Sequence, residues 1–160
     1  MKVNNITRLL ETHNVSFTAF ELPAEKLSAE ETASYLNVPL AQVYKTIVVT
    51  RQGRGKPLLA LVAGDTEVDL KMLAKAVGEK KLSLPTQKEA ERLTGLQAGG
   101  ISPLALLNKG FEVVIDERAT QFEEIYISAG QRGLNIRLPL LAFVNFTKAS
   151  LQPISMLIVE

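Results

Sequence analysis

Lys45 opens the run YKTIVV, where an extended backbone sets it on the same strand face as Ile47 and Val49. An ammonium beside an apolar face that projects into a pocket attracts a phosphate, a carboxylate or a developing oxyanion; one that snorkels to water is an ordinary strand-end lysine. Both readings stand on the residues alone. Gly99 and Gly100, followed by Ile101, Ser102 and Pro103, let the backbone approach a ligand and turn consecutive N–H groups toward an acyl carbonyl or a phosphate. The same residues also make a tight turn after a helix, stopped by proline. Ser128, Gly130, Arg132 and Gly133, with Ala129 and Gln131 between them, place a hydroxyl, an amide and a guanidinium between extended runs. That mixture orients a sugar or phosphate backbone, or is simply a glycine-rich turn with an exposed arginine.

Other chemistries fall away. Cysteine is absent, which removes disulfides, a thiol nucleophile and cysteine-bearing metal sites. The single histidine, His13, sits where an apolar helical stripe meets a helix end, so a histidine zinc cluster is excluded and a Ser-His-Asp set is confined to one place. GRGKP lacks the P-loop spacing, and AGG is not a dinucleotide fingerprint. Asp65, Glu67 and Asp69 match no calcium loop and read as a solvated, helix-capping stretch. Arg8, Arg51, Arg54, Lys56, Lys71, Lys75, Lys80 and Lys81 are phosphate-contact candidates interleaved with acids, and most of them read as solvated surface.

The elements that must position these residues follow from pattern. Helices are expected over residues 5–13, after the Ser28–Glu31 cap, from Asp69 to Gly78, and from the Thr86–Glu89 cap to Gly95. Strands are expected at residues 16–22, in VYKTIVVTR paired with LLALVA as a central hairpin, in KLSL, and in FEVVID, EEIYIS and LNIRL. LLAFVNFTKA reads as either helix or strand. With 160 residues, 46% hydrophobic and 22% charged, the chain is sized for one ordered domain, taken as 1–160. Eighteen basic against seventeen acidic residues leave a formal charge of +1, so a polyanion partner needs a local patch. The apolar runs Pro57–Gly64 and Leu138–Val144 are too short to span a bilayer, and a soluble cytoplasmic protein without a membrane partner is expected.

The ordered runs VYKTIVV, DLKMLAKAVG, TGLQAGGISPLA and EEIYISAGQRGLNI resemble the family of free-standing bacterial YbaK-like aminoacyl-tRNA deacylases, related to the editing domain inserted in bacterial prolyl-tRNA synthetases. The likeness runs from LLETHNVSF to about residue 150. It implies an α+β domain with a curved, partly barrel-like mixed sheet flanked by helices. It also implies a trans-editing enzyme that cleaves the ester of a mischarged aminoacyl-tRNA, such as Cys-tRNA(Pro) or another small amino acid on tRNA(Pro). By this resemblance Lys45 matches the family's active-site lysine; in the catalytic set expected here it stabilises the phosphate, ribose or ester oxygen while amides around Gly100 and Ile101 orient the amino acid or carbonyl. Gly99, Ser102 and Pro103 belong to the GGISP substrate loop, and Ser128, Gly130, Arg132 and Gly133 to an SGGKRG-like motif. Ala129 and Gln131 replace the usual glycine and lysine of that motif, which removes one phosphate attraction and adds a methyl group. Leu22 stands near a position where cysteine-selective relatives carry tyrosine.

Neither cofactor nor metal is implied. Water is the expected attacking group, or the substrate's own thiol if the amino acid is cysteine, which makes the reaction lyase-like. The implied partners are the aminoacylated acceptor end of tRNA and prolyl-tRNA synthetase, with no role for DNA. The alternative is a protein of this fold that has lost turnover and serves as an RNA-binding or synthetase-associated accessory.

Overall fold

The computed structural model describes residues 4–53 and 55–158; Arg54, one of the phosphate-contact candidates, lies outside them. In chain order the first half holds α1 (Asn5–Thr12), β1 (Thr18–Glu21), α2 (Ala29–Leu36), β2 (Tyr44–Arg51), β3 (Leu58–Ala63), β4 (Thr66–Val68) and α3 (Leu70–Val77). The second half holds β5 (Leu82–Ser83), α4 (Gln87–Thr94), β6 (Glu112–Asp116), β7 (Glu124–Ser128), β8 (Leu134–Pro139), α5 (Leu140–Thr147), β9 (Ser150–Gln152) and β10 (Ser155–Leu157). No helix among the described residues is long and apolar enough to cross a membrane.

Local chemistry starts the helices where the sequence expects. Asn4 accepts the Thr7 N–H while the Thr7 hydroxyl accepts the Asn4 N–H, and Ser28 and Glu31 exchange the same pair of bonds. α4 departs from this pattern. Thr86 accepts the Glu89 N–H, but the Glu89 carboxylate goes to Arg92, since a forked charge-assisted pair outcompetes a single backbone donor. Asp69 caps α3, accepting from the Lys71 and Met72 N–H groups. The ambiguous run after Pro139 is helical, burying Leu140 and Phe143 and ending at Lys148 in the left-handed region.

β2 and β3 form the expected central hairpin, with Lys45 opposite Val62 and Ile47 opposite Ala60. β3 is buried along its length because β6 runs parallel on its other edge and apolar layers cover both faces. One layer gathers Tyr44, Val48, Leu59 and Leu61 with α1, α5 and the β7–β8 hairpin; the other packs Val49, Ala60 and Val62 against Leu73 of α3. Each fully buried leucine or valine contributes roughly 1.5–3 kcal/mol by leaving water. Burial, reinforced by the charges of Asp116 and Asp65, pushes the Tyr44 phenol well above its ordinary range, so the ring stays neutral.

The strands form separate sheets in the orders β5-β2-β3-β6-β9, β1-β8-β7 and β10-β4. The expected barrel-like curvature does not reach closure among the described residues. A single parallel bridge from Val43 to Tyr126 joins the larger sheets, and α2 covers that seam with Ala33 and Leu36.

The short strands β4, β9 and β10 are not among those expected from the sequence pattern, and one buried carboxylate anchors their region. Asp116, 1% exposed, accepts the Ile154 N–H at 2.9 Å and the Arg118 N–H at 3.2 Å. Replacing Asp116 by Ala orphans both donors, and urea unfolding is expected to show a loss of about 2–3 kcal/mol with faster hydrogen exchange at Ile154. Unchanged stability and exchange would show that the tail is held by packing alone.

Candidate active site

Lys45 enters a cavity of about 320 Å³ between the start of β2, the segment before α2, and the loops that follow α4 and β7. The strand register supplies the reason. Thr46 and Tyr44 turn toward the apolar layer shared with Leu61 and Ala63, so Lys45 takes the opposite face, at the strand's end where α3 no longer covers it. It is half-buried and, among the described residues, forms no ion pair.

Of the residues singled out in the sequence, Lys45, Gly99, Ile101 and Ser128 line this cavity together. The others build its walls from behind. Gly100 is buried, and its N–H is committed to the Gln97 carbonyl at 2.9 Å, while Ile101, the next residue, lines the cavity. Ser102 is fully buried, accepting the Leu104 N–H at 3.3 Å, and with Pro103 it starts a 3-10 turn. Arg132 donates from Nε to the Ala98 carbonyl at 2.7 Å, so its guanidinium is first a clamp between loops. Ser128 donates to the Gly99 carbonyl at 3.3 Å. The Leu22 N–H donates to the Gly133 carbonyl at 3.0 Å, tying the chain after β1 to the same loop. Gly130 belongs to a different cavity, with Ala129 and Gln131.

The loops meet backbone to backbone. A Cβ on Gly100 would stand 2.8 Å from the Gln131 Cα and 2.9 Å from its carbonyl carbon, and one on Gly99 would stand 3.3 Å from the Lys26 Cα. Neither neighbour is a flexible side-chain end. The paired glycines are therefore required by close approach, in addition to the left-handed turn at Gly99, φ +90°.

Two contributors were not singled out in the sequence. Lys26 lines the cavity mouth and donates to Gln87 Oε1 at 2.6 Å; it and Lys45 are the only charged liners among the described residues. Asn135, 8% exposed, also lines the cavity, and its buried Oδ1 has no hydrogen-bond partner. A signal for Asn135 existed: the β7–β8 hairpin pairs it directly with Ser128. A polar residue inside the apolar alternation of LNIRL marks a strand face turned toward something other than core. The cavity thus combines ammonium charge with an unpaired amide acceptor, a set suited to a small anionic or esterified substrate.

The match to a family model described as the aminoacyl-tRNA editing domain covers residues 24–146. The chain belongs to the aminoacyl-tRNA editing domain family. Among individual relatives, EbsC of Enterococcus faecalis, named as a candidate Cys-tRNA(Pro)/Cys-tRNA(Cys) deacylase, is 35% identical over 94% of this chain and 92% of its own. The multifunctional Ser/Thr-tRNA deacylase ProXp-y of Escherichia coli K12 is 30% identical over 70% of this chain and 68% of its own. A crystal structure of a candidate trans-editing enzyme for prolyl-tRNA synthetase superposes with a TM-score of 0.80 at 24% identity, covering 97% of this chain and 99% of that one.

Gly100→Ala tests the loop contact directly. The added methyl is expected to cost roughly 1–3 kcal/mol by overpacking and to shift the amide resonances of Gln131 and Arg132. Wild-type stability with unmoved resonances would mean that the loops do not touch.

Proposed function

We propose that this protein is an aminoacyl-tRNA deacylase that removes a small, wrongly attached amino acid from the acceptor end of tRNA. One observation carries the reading: the cavity's charged liners among the described residues are both lysines, set against an unpaired buried amide and a glycine-bearing loop. The terminal phosphate and the ester oxygens bring negative charge and acceptors, which Lys45 and Lys26 match. The Ile101 N–H faces the carbonyl. Asn135 Oδ1 accepts from the amino acid's ammonium or the terminal ribose hydroxyl.

In the reaction, a water oxygen adds to the ester carbonyl carbon, and negative charge develops on the carbonyl oxygen. The bond from that carbon to the ribose oxygen then breaks, the ribose oxygen takes the proton, and free amino acid and uncharged tRNA leave. Substrate hydroxyls serve the proton transfer. The chain's contribution is positioning and charge stabilisation, worth several orders of magnitude in rate.

Cysteine is the first amino acid to test, because the EbsC match spans nearly both chains; serine and threonine follow from the ProXp-y match. tRNA(Pro) is the first carrier. The likeness to a candidate trans-editing enzyme for prolyl-tRNA synthetase makes that synthetase the protein partner to test.

Deacylation of tRNAs charged with cysteine, alanine, serine, threonine and proline is expected to single out one or two esters. Lys45→Ala is expected to lower that rate at least about 100-fold with the fold intact; near-normal turnover by a folded variant would remove Lys45 from the chemistry. Acceptor-end binding without cleavage of any ester would make the protein an accessory binding module instead. Asn135→Ala separates function from stability: KM is expected to rise about tenfold. Thermal stability should hold or increase, since an orphaned buried acceptor is gone. A stability loss with KM unchanged would make Asn135 structural.

A further inference from the structure

A second cavity borders the one that holds Lys45. It encloses about 550 Å³ on the other side of the loop after β7, between the start of α1, the turn after Gly95 and the segment following Ser102. Among the described residues its lining includes no charged side chain. The carboxamides of Asn4, Asn5, Asn108 and Gln131 share it with the apolar side chains of Ile6 and Leu9, among others. Among those residues a phosphate, a carboxylate or an ammonium finds no counter-charge. A flat, neutral heterocycle fits better: the Asn4 carboxamide is committed to Thr7, Ala129 and Gln131, but those of Asn5 and Asn108 and the Gln131 Nε2 offer donors and acceptors, as the edge of a nucleobase requires, and aliphatic walls accept its faces.

The position of this cavity decides which base. Ser128 faces the Lys45 cavity, while the next residues, Ala129, Gly130 and Gln131, face this one, so one loop is the partition between the two. Asn4 fixes that partition, donating from Nδ2 to the Ala129 carbonyl at 2.8 Å and to Gln131 Oε1 at 3.2 Å. A Cβ on Gly130 would fall 2.6 Å from the Ile6 Cδ1 and 3.3 Å from the Ala105 Cβ, so the partition lies directly on the cavity wall. Resting on the deacylase reading, in which the terminal aminoacylated adenosine occupies the Lys45 cavity, we infer that this second cavity binds the unpaired nucleobase that precedes that adenosine. Gln131 then acts in recognition of a neutral base, and the loop measures the step between neighbouring nucleotides.

Binding of an uncharged RNA minihelix, followed by fluorescence anisotropy, tests this without relying on turnover. Two RNAs are compared, one intact and one abasic at the nucleotide before the terminal adenosine, against wild type, Ala105→Leu and Asn108→Gly. Ala105→Leu fills the cavity. Asn108 is exposed with φ 61°, so glycine removes its carboxamide while keeping the backbone conformation. Base removal is expected to weaken wild-type binding about tenfold and to change binding to the filled variant hardly at all. Asn108→Gly should show an intermediate loss. An equal effect of base removal on all three proteins overturns the inference, as does saturation of the cavity by free cytidine with no effect of base removal in the RNA. Deacylation by the same proteins is read separately: absence of cleavage with the binding pattern intact sinks the deacylase reading and leaves the base site standing.

Discussion

The molecule is organised around a place where backbone touches backbone. The loop holding Gly99 and Gly100 lies so close to Gln131 and Arg132 that a single added methyl has nowhere to go. Around that contact, Arg132 reaches the Ala98 carbonyl, Ser128 reaches the Gly99 carbonyl, and Leu22 reaches the Gly133 carbonyl. Each is a modest hydrogen bond. Together they hold segments far apart in sequence in a fixed relation, which a catalytic cavity needs to within a fraction of an ångström. Arg132 and Gly100 hold the loops together, while Ile101, one residue on, lines the cavity.

The central sheet supplies the rigid floor for those loops. β2 and β3 are packed on both faces, and strand alternation sends Tyr44 into one layer and Lys45 to the other face. Only at its end does β2 escape the cover of α3. Lys45 can thus keep its stem against apolar neighbours and its ammonium in a cavity, the arrangement snorkelling lysines use at surfaces, here turned inward. Asn135 reaches the same space from β8, brought opposite Ser128 by the hairpin register. Its unpaired oxygen is a cost in the free protein, and burial without a partner is tolerated where a ligand supplies the missing donor.

Membership in the aminoacyl-tRNA editing domain family agrees with a cavity whose charged liners among the described residues are lysines. Departures from the family's usual loop acquire meaning in the structure. Ala129 is fully buried, and its carbonyl receives Asn4, so its methyl faces the core instead of narrowing the Lys45 cavity. Gln131 accepts a bond from Asn4 and lines the neighbouring cavity, where a lysine would have introduced a charge into a lining that is neutral among the described residues.

Periodicity and capping in the sequence determined most of the elements: α1 to α4, the central hairpin, and β6 to β8 all lie where apolar spacing and cap residues place them. These signals are local, so local sequence reports them. The charge balance, the absence of cysteine and the ordered motifs likewise set the chemistry that remained open. What stayed illegible was non-local. β9 and β10 are only three residues each and owe their place to pairing with distant strands and to Asp116. The helix after Pro139 was ambiguous because its first five residues, Leu140 to Val144, are all apolar and show no period to read. Lys26 and Asn135 lacked a motif of their own, and the division of one glycine-rich loop between two cavities depends on which way successive side chains turn after folding. Tertiary structure alone decided those points, because they are set by contacts between residues that the chain keeps far apart.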